Sequence, residues 1–249
     1  MMKIFIVGIN GKMGRAIASA AEAEGIEIAG GLDVTPGGQY PVFTKAEDVT
    51  VDYDCVIDFS RPATLDAVVS LAEKRGVPAV IATTGYSEEQ LARIDALSKK
   101  VPVFRSANMS VGVNVVESVL PVLASALSGF DIEIIEAHHN QKVDAPSGTA
   151  LQMLSAVKEG LDYEPDIVYG RQGESRRRKG DIGVHAVRGG TIVGEHTVLF
   201  AGDDEMIEIK HTALSRRIFA NGSLRAAAFL IGKAPGMYDM SDYLASLKK

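Results

Sequence analysis

What most constrains this chain is a regular alternation in its N-terminal part. Short apolar runs rich in β-branched and aromatic residues recur at Lys3–Gly8, Ile26–Leu32, Cys55–Phe59, Val77–Ala82 and Val101–Arg105. Between them lie helical segments: Ala16–Glu24, a stretch opened by Pro62 that contains Ala67–Lys74, and one that starts at the capping box Ser87-Glu-Glu-Gln90 and runs to about Lys99. Each apolar run has the length of a strand buried on both faces. Strands separated by helices need crossover connections, so a parallel sheet covered by helices is expected.

After Asn108 the pattern changes. Val111–Leu127 reads as a long apolar helix, Phe130–Ala137 as an alternating strand and Gly148–Glu159 as a helix. Ile182–Arg188 and Thr191–Phe200 flank Gly189-Gly190, a two-residue hairpin signal. Gly202-Asp203-Asp204 turns into a further strand, Met206–Thr212, and Ser215–Ile231 is helical again. Glu159–Arg178 reads as loop. Serial antiparallel strands do not continue a parallel sheet. The expected organisation is therefore one domain at 1–109 and 219–249, and a second at 110–218.

Composition narrows the function. Hydrophobic residues make up 46% and charged residues 23%, ordinary values for a soluble globular protein. The net charge of −6 argues against a nonspecific nucleic-acid binder. No apolar run approaches the roughly 18 residues of a membrane span, and the N-terminus lacks the features of a signal peptide. The single cysteine, Cys55, allows no intrachain disulfide, and a cytoplasmic location is the simplest expectation.

Gly8-Ile9-Asn10-Gly11-Lys12-Met13-Gly14 follows the first strand and opens a helix. Glycines there let backbone N–H groups approach a pyrophosphate at a helix N-terminus. Asp33 ends the second strand about 20 residues later, where a carboxylate accepts hydrogen bonds from an adenosine ribose. The bland alternatives are a tight turn and a capping Asp. Asp58-Phe-Ser60 and Thr83-Thr84-Gly85 lie at strand carboxyl ends, where they either border a ligand or serve as caps and turns. The fold class is read as α/β: a Rossmann-like dinucleotide-binding domain plus a smaller α+β domain with an open mixed or antiparallel sheet.

The segment from Glu133 to Ala150 carries the densest chemistry. It contains His138, His139, Lys142, Ser147, Gly148 and Thr149 between a strand end and a helix start. Histidine suits proton transfer near neutrality. Lysine and the N–H groups of a helix start suit a carboxylate. No metal is expected, because adjacent histidines on a strand point to opposite faces and no His-Glu-x-x-His or second cysteine exists. His185, His196 and His211 are read as structural. Arg176-Arg177-Arg178-Lys179 is read as a solvated charged face, with a rim for an anionic substrate as the alternative.

Glu136-Ala-His-His-Asn-Gln-Lys-Val-Asp-Ala-Pro-Ser-Gly-Thr-Ala150 resembles the signature of the 4-hydroxy-tetrahydrodipicolinate reductase family, also called dihydrodipicolinate reductase. Gly8–Arg15, Thr83-Thr-Gly85, Asn108–Asn114, Val193-Gly-Glu-His196 and Phe219-Ala-Asn-Gly222 resemble it in order, so the likeness covers nearly the whole chain. The family often has Gly where this chain has Ala82. The resemblance implies NAD(P)H-dependent reduction of the ring derived from 4-hydroxy-tetrahydrodipicolinate to tetrahydrodipicolinate, in lysine and diaminopimelate synthesis. It makes His138 the proton donor and Lys142 a second acid/base or carboxylate partner. His139, Ser147, Gly148 and Thr149 then hold a small cyclic dicarboxylate. Gly8, Ile9, Asn10, Gly11, Lys12, Met13, Asp33, Ala82, Thr83, Thr84, Ser106, Ala107, Asn108 and Met109 line the cofactor. A homotetramer is implied as well, with the domain at 110–218 serving substrate binding and oligomerisation. Asp33 followed by Val34, with no Arg, reads as NADH preferred and NADPH tolerated. The alternatives are a reductase of another cyclic imine or keto acid, and a nonenzymatic dinucleotide sensor.

Overall fold

The computed structural model describes residues 1–247. In chain order the elements are β1 (Lys3–Val7), α1 (Lys12–Ala23), β2 (Glu27–Leu32), β3 (Val42–Phe43), β4 (Cys55–Asp58), α2 (Leu65–Arg75), β5 (Ala79–Ile81), α3 (Glu88–Ser98), β6 (Pro102–Arg105), α4 (Val111–Ala126), β7 (Asp131–His138), α5 (Gly148–Glu159), β8 (Ile167–Tyr169), β9 (Ile182–Arg188), β10 (Gly194–Ala201), β11 (Met206–Ala213), α6 (Arg217–Leu230), β12 (Gly236–Tyr238) and α7 (Met240–Leu247). They form two compact units, one of Met1–Val111 with the chain from Arg216 onward, the other of Gly112–Ser215. Among the described residues no helix is long and apolar enough to cross a membrane.

The first unit holds a seven-stranded sheet in the order β12-β6-β5-β4-β1-β2-β3, every recorded pairing parallel. Both faces are covered, and the pleat of β1 shows how. Ile4 and Ile6 pack with Ile17 and Ala20 of α1 and Leu224 and Ala227 of α6. Phe5 and Val7 point the other way, into a core with Val68 and Leu71 of α2 and Ile94 and Leu97 of α3. That is why these strands read as unbroken apolar runs rather than alternating ones. The capping box is present: the Gln90 N–H donates to Ser87 Oγ, and the Ser87 N–H to Gln90 Oε1. Strand order reverses between β1 and β4, which places the carboxyl ends of β1, β2 and β4 around one crevice.

The second unit holds a five-stranded mixed sheet, β11-β10-β7-β9-β8. Ile132, Ile134, Ile182, Val184, Val198 and Phe200 on one face pack with Val113 and Leu120 of α4 and Met153 and Val157 of α5.

Three expectations fail here. The strands flanking Gly189-Gly190 are not hairpin partners: β7 lies between them, parallel to β9 and antiparallel to β10. The stretch Glu159–Arg178 is not all loop, since β8 lies within it and extends the sheet beside β9. Nor is the basic run simply a solvated face. Arg177 donates to Asp131 at 2.6 Å and Glu133 at 3.2 Å and to the carbonyls of Ile132 and Asp181, tying its loop to β7.

Candidate active site

In the first unit, a cleft of about 870 Å³ opens at the strand-order reversal. Its lining includes Gly8, Asn10, Gly11 and Asp33 with Arg15 and Arg61. The loop is shaped for close approach. Gly8 has φ +83°, a left-handed conformation, and a Cβ on Gly14 would lie 2.2 Å from the Gly8 carbonyl oxygen. Asp33 reaches back to this loop. Its Oδ2 accepts the Asn10 N–H at 2.9 Å and its Oδ1 the Thr35 N–H at 3.3 Å. Asn10 Nδ2 donates to the carbonyls of Thr35 and Gly37, fixing the segment after β2.

The other predicted cofactor residues fall into two groups. Ile9 and Met109 are buried in the core, Met13 packs against it, and Lys12 is exposed. Ala82, Thr83 and Thr84 follow β5, and Ser106, Ala107, Asn108 and Met109 follow the neighbouring β6, so both segments leave the sheet at its carboxyl edge. Thr83 Oγ1 accepts the Ser60 N–H at 2.9 Å. Asp58, fully buried at the end of β4, accepts from the Ser60 hydroxyl and from Tyr86 at 3.1 Å. Burial nevertheless pushes its carboxyl up, past what those hydrogen bonds offset. Asp58, Ser60 and Thr83 thus act as a brace between strand ends.

The second unit brings His138, Lys142, Ser147, Gly148 and Thr149 together where β7 ends and α5 begins. His138 Nδ1 lies 2.7 Å from Glu136 Oε2, and its ring meets that of His196 edge-on at 5.1 Å. Ser147 caps α5: its Oγ accepts the Ala150 N–H at 3.2 Å and lies 2.9 Å from His196 Nε2. Burial, reinforced by His138, pushes His196 down to about 4, so it is neutral near pH 7. Lys142 Nζ pairs with Asp144 at 2.8 Å. That pairing, with the Gly148 N–H, holds the Asp144 carboxyl below its usual range. His139 lies just beyond β7, its carbonyl accepting the Lys142 N–H at 3.1 Å.

The chain has counterparts among known proteins. Family profiles described as dihydrodipicolinate reductase, N-terminus and C-terminus, match residues 2–109 and 112–244. The 4-hydroxy-tetrahydrodipicolinate reductase of Clostridium tetani is 49% identical over 99% of this chain and 98% of its own length. That of Caldanaerobacter subterraneus is 49% identical over 97% of this chain and 98% of its own. The chain belongs to the dihydrodipicolinate reductase family. A dipicolinate-bound dihydrodipicolinate reductase from Paenisporosarcina superposes with a TM-score of 0.79, at 25% identity, covering 96% of this chain and 97% of that one. Aspartate dehydrogenase from Thermotoga maritima shares the fold alone, with a TM-score of 0.52 at 14% identity over 94% of this chain and 98% of that one.

Dihydrodipicolinate reductases are pyridine-nucleotide-dependent oxidoreductases, which agrees with the cleft in the first unit. Sequence reasoning gave no role to Glu136 or Arg188 and read His196 as structural; all three shape the second-unit site. One signal was available for Glu136. It shares the inward parity of Ile132 and Ile134 on β7, so it is a carboxylate on a core face. Arg188, 52 positions away, carried no local signal.

Proposed function

We propose that this chain carries out the NAD(P)H-dependent reduction of the dihydrodipicolinate-type ring derived from 4-hydroxy-tetrahydrodipicolinate, giving tetrahydrodipicolinate for lysine and diaminopimelate synthesis. A dinucleotide fits the first unit, because the glycines let the loop pack closely on itself and turn from β1 straight into the start of α1, beside the cleft. Gly8 to Met13, Asp33, Ala82 to Thr84 and Ser106 to Met109 hold it in this reading. When bound, the reduced nicotinamide supplies a hydride to C4 of the ring. His138 then delivers a proton from Nε2 to C3, since Nδ1 is engaged by Glu136. Lys142, Ser147, Gly148 and Thr149 bind a ring carboxylate, with His139 beside it.

The observation that carries this reading is that Lys142 and the α5 start already hold a carboxylate, that of Asp144. A substrate carboxylate takes over the same partners. The dipicolinate bound to the Paenisporosarcina relative is a ring with two such groups. A sensor has no use for a proton donor beside this site.

Asp33 and the absence of a cation at Val34 favour NADH over NADPH. Arg15 in the same cleft gives NADPH a partner for its phosphate, so NADPH is tolerated. The enzyme works in the cytoplasm as a homotetramer. The outward face of the second sheet, with Ile135 39% and Val187 49% exposed, supports such assembly.

The test supplies purified protein with NADH or NADPH and with substrate generated in situ. Nicotinamide oxidation that depends on the substrate is expected, and its absence overturns the reading. Lys142→Ala is expected to weaken competition by pyridine-2,6-dicarboxylate. Equal inhibition of Lys142→Ala and the wild type places the anion site elsewhere.

A further inference from the structure

Glu136 is fully buried, yet four donors converge on it. Oε2 receives His138 Nδ1 at 2.7 Å and Arg188 Nη1 at 2.8 Å. Oε1 receives Arg188 Nη2 at 2.7 Å and the Ser147 N–H at 3.0 Å. An ionised carboxylate offers about four acceptor sites, so this one is saturated. Burial alone raises its pKa, but the hydrogen bonds from Arg188, His138 and Ser147 outweigh that and hold it below the ordinary range. It is therefore charged at neutral pH. Arg188 is anchored in turn, its Nη2 donating to the Asp144 carbonyl at 2.7 Å.

We propose that Glu136, clamped by the Arg188 fork, is a positioning residue that keeps the proton of neutral His138 on Nδ1 and so assigns Nε2 to proton delivery. This rests on the reading of His138 as proton donor. The reasoning is one of donor and acceptor types. A carboxylate can only accept, so the ring nitrogen facing it must carry hydrogen. When His138 gains a second proton it can lose only the one on Nε2 without breaking this bond. His196 contacts the ring from β10, and Lys142 and Asp144 are the other charged groups nearby on the loop. His196 is neutral, Lys142 and Asp144 form a pair of opposite sign, and so do Glu136 and Arg188, so what Glu136 imposes on the ring is the direction of the Nδ1 hydrogen bond.

The same carboxylate holds the amide of Ser147, the cap of α5. One side chain thus sets both the proton donor and the start of the anion-binding helix. A glutamine cannot replace it. Its NH₂ group must face two donors whichever way it turns. Because the Ser147 backbone cannot give up its hydrogen, the amide nitrogen turns to His138 and drives the ring to the Nε2–H form.

The test begins with the native protein. Nitrogen-15 spectra above the His138 titration are expected to show the Nδ1–H tautomer. The Nε2–H tautomer overturns the proposal without any variant, which covers the case of a variant that fails to fold. Glu136→Gln is expected to lower kcat about 100-fold, within the range of general acid catalysis, and to move its His138 ring to the Nε2–H tautomer. Glu136→Asp, which keeps an acceptor-only carboxylate, is expected to retain the Nδ1–H tautomer and to restore kcat in part. Because the amide oxygen still accepts the Ser147 N–H, KM is expected to change little in Glu136→Gln, whether or not His138 is present. The kcat loss appears only where His138 is present, so adding Glu136→Gln to His138→Gln costs no further kcat. A full further loss in that background, or an unchanged His138 tautomer in Glu136→Gln, overturns the proposal. Wild-type turnover in His138→Gln alone instead overturns the reading of His138 on which it rests.

Discussion

Two carboxylates mark the two sites of this molecule, and they are used in opposite ways. Asp33, in the first unit, receives two backbone N–H groups, one on each oxygen. About half of its acceptor capacity stays available, and it borders an open cleft. Glu136, in the second unit, receives four donors and is fully buried. The first can still read a ligand hydroxyl. The second has no acceptor left for a ligand and serves by fixing its neighbours. The comparison extends to the material of each site. The first is built from backbone and from side chains that are missing. The second is built from side chains that satisfy one another.

Removing a working side chain from the second site has the largest expected effect. His138→Gln is expected to lower turnover by about 10²–10⁴-fold, the usual worth of a general acid. Nicotinamide binding should survive, as followed by fluorescence titration with NADH. Turnover near wild type would show that the network around Glu136 exists for stability alone.

Adding an atom to the first site tests the other half. A Cβ at Gly14, 2.2 Å from the Gly8 carbonyl oxygen, forces the loop to move. Overpacking of this kind costs about 1–3 kcal/mol. Gly14→Ala is therefore expected to weaken NADH binding by roughly 10- to 100-fold, while calorimetry finds pyridine-2,6-dicarboxylate still bound. Unchanged NADH affinity would mean that the close approach plays no part in binding.

A third carboxylate sharpens the rule that burial needs donors. Glu117, on the inward side of α4, has a buried Oε1 without a hydrogen-bond partner. Burial pushes its pKa up to about 7. The folded form thus binds a proton that the unfolded chain releases near the ordinary value of ~4.3. Stability from this group is present below that value and is lost as pH rises through about 7. Glu117→Gln is expected to stabilise the protein at pH 8 by on the order of 1–3 kcal/mol and to do little at pH 4. Urea denaturation at the two pH values checks this, and an equal effect at both would refute it.

The smallest effect concerns Asp33 itself. Val34→Arg places a cation beside the ribose-reading carboxylate and is expected to move the NADPH to NADH ratio of kcat/KM about tenfold toward NADPH, worth about 1.4 kcal/mol. A wild-type ratio already favouring NADPH would show that Arg15 outweighs Asp33.

The parallel sheet was legible because its strands are buried on both faces and are short, unbroken and punctuated by caps. The Ser87 box and the α5 start were legible for the same local reason. The hairpin error came from reading Gly189-Gly190 as a local signal. Strand pairing is a contest over distance, and Ile182–Arg188 finds its partner in Ile132–His138 rather than in its sequence neighbour. β8, only three residues long at a sheet edge, gave no periodicity to read. At the candidate site the residue types were legible in the segment around His138, but the clamp from Arg188 was not. It depends on β9 lying against β7, which is the pairing that the local signal concealed.

The late return of the chain has a consequence for biosynthesis. Ile17, Ala20 and Ala21 of α1 share their core with Ala220, Leu224 and Ala227 of α6. About 200 residues separate the two helices along the chain, which a ribosome needs roughly 10–40 s to add. Throughout that interval one side of the parallel sheet has α1 but not α6, and the apolar surface of β4, β5 and β6 that α6 covers is open to chaperones or to aggregation. The second unit, Gly112–Ser215, is continuous and emerges complete before α6 does. A chain whose Ser215 has just left the ribosome therefore has a finished second unit while its first unit still lacks α6, and the emergence of α6 closes that core.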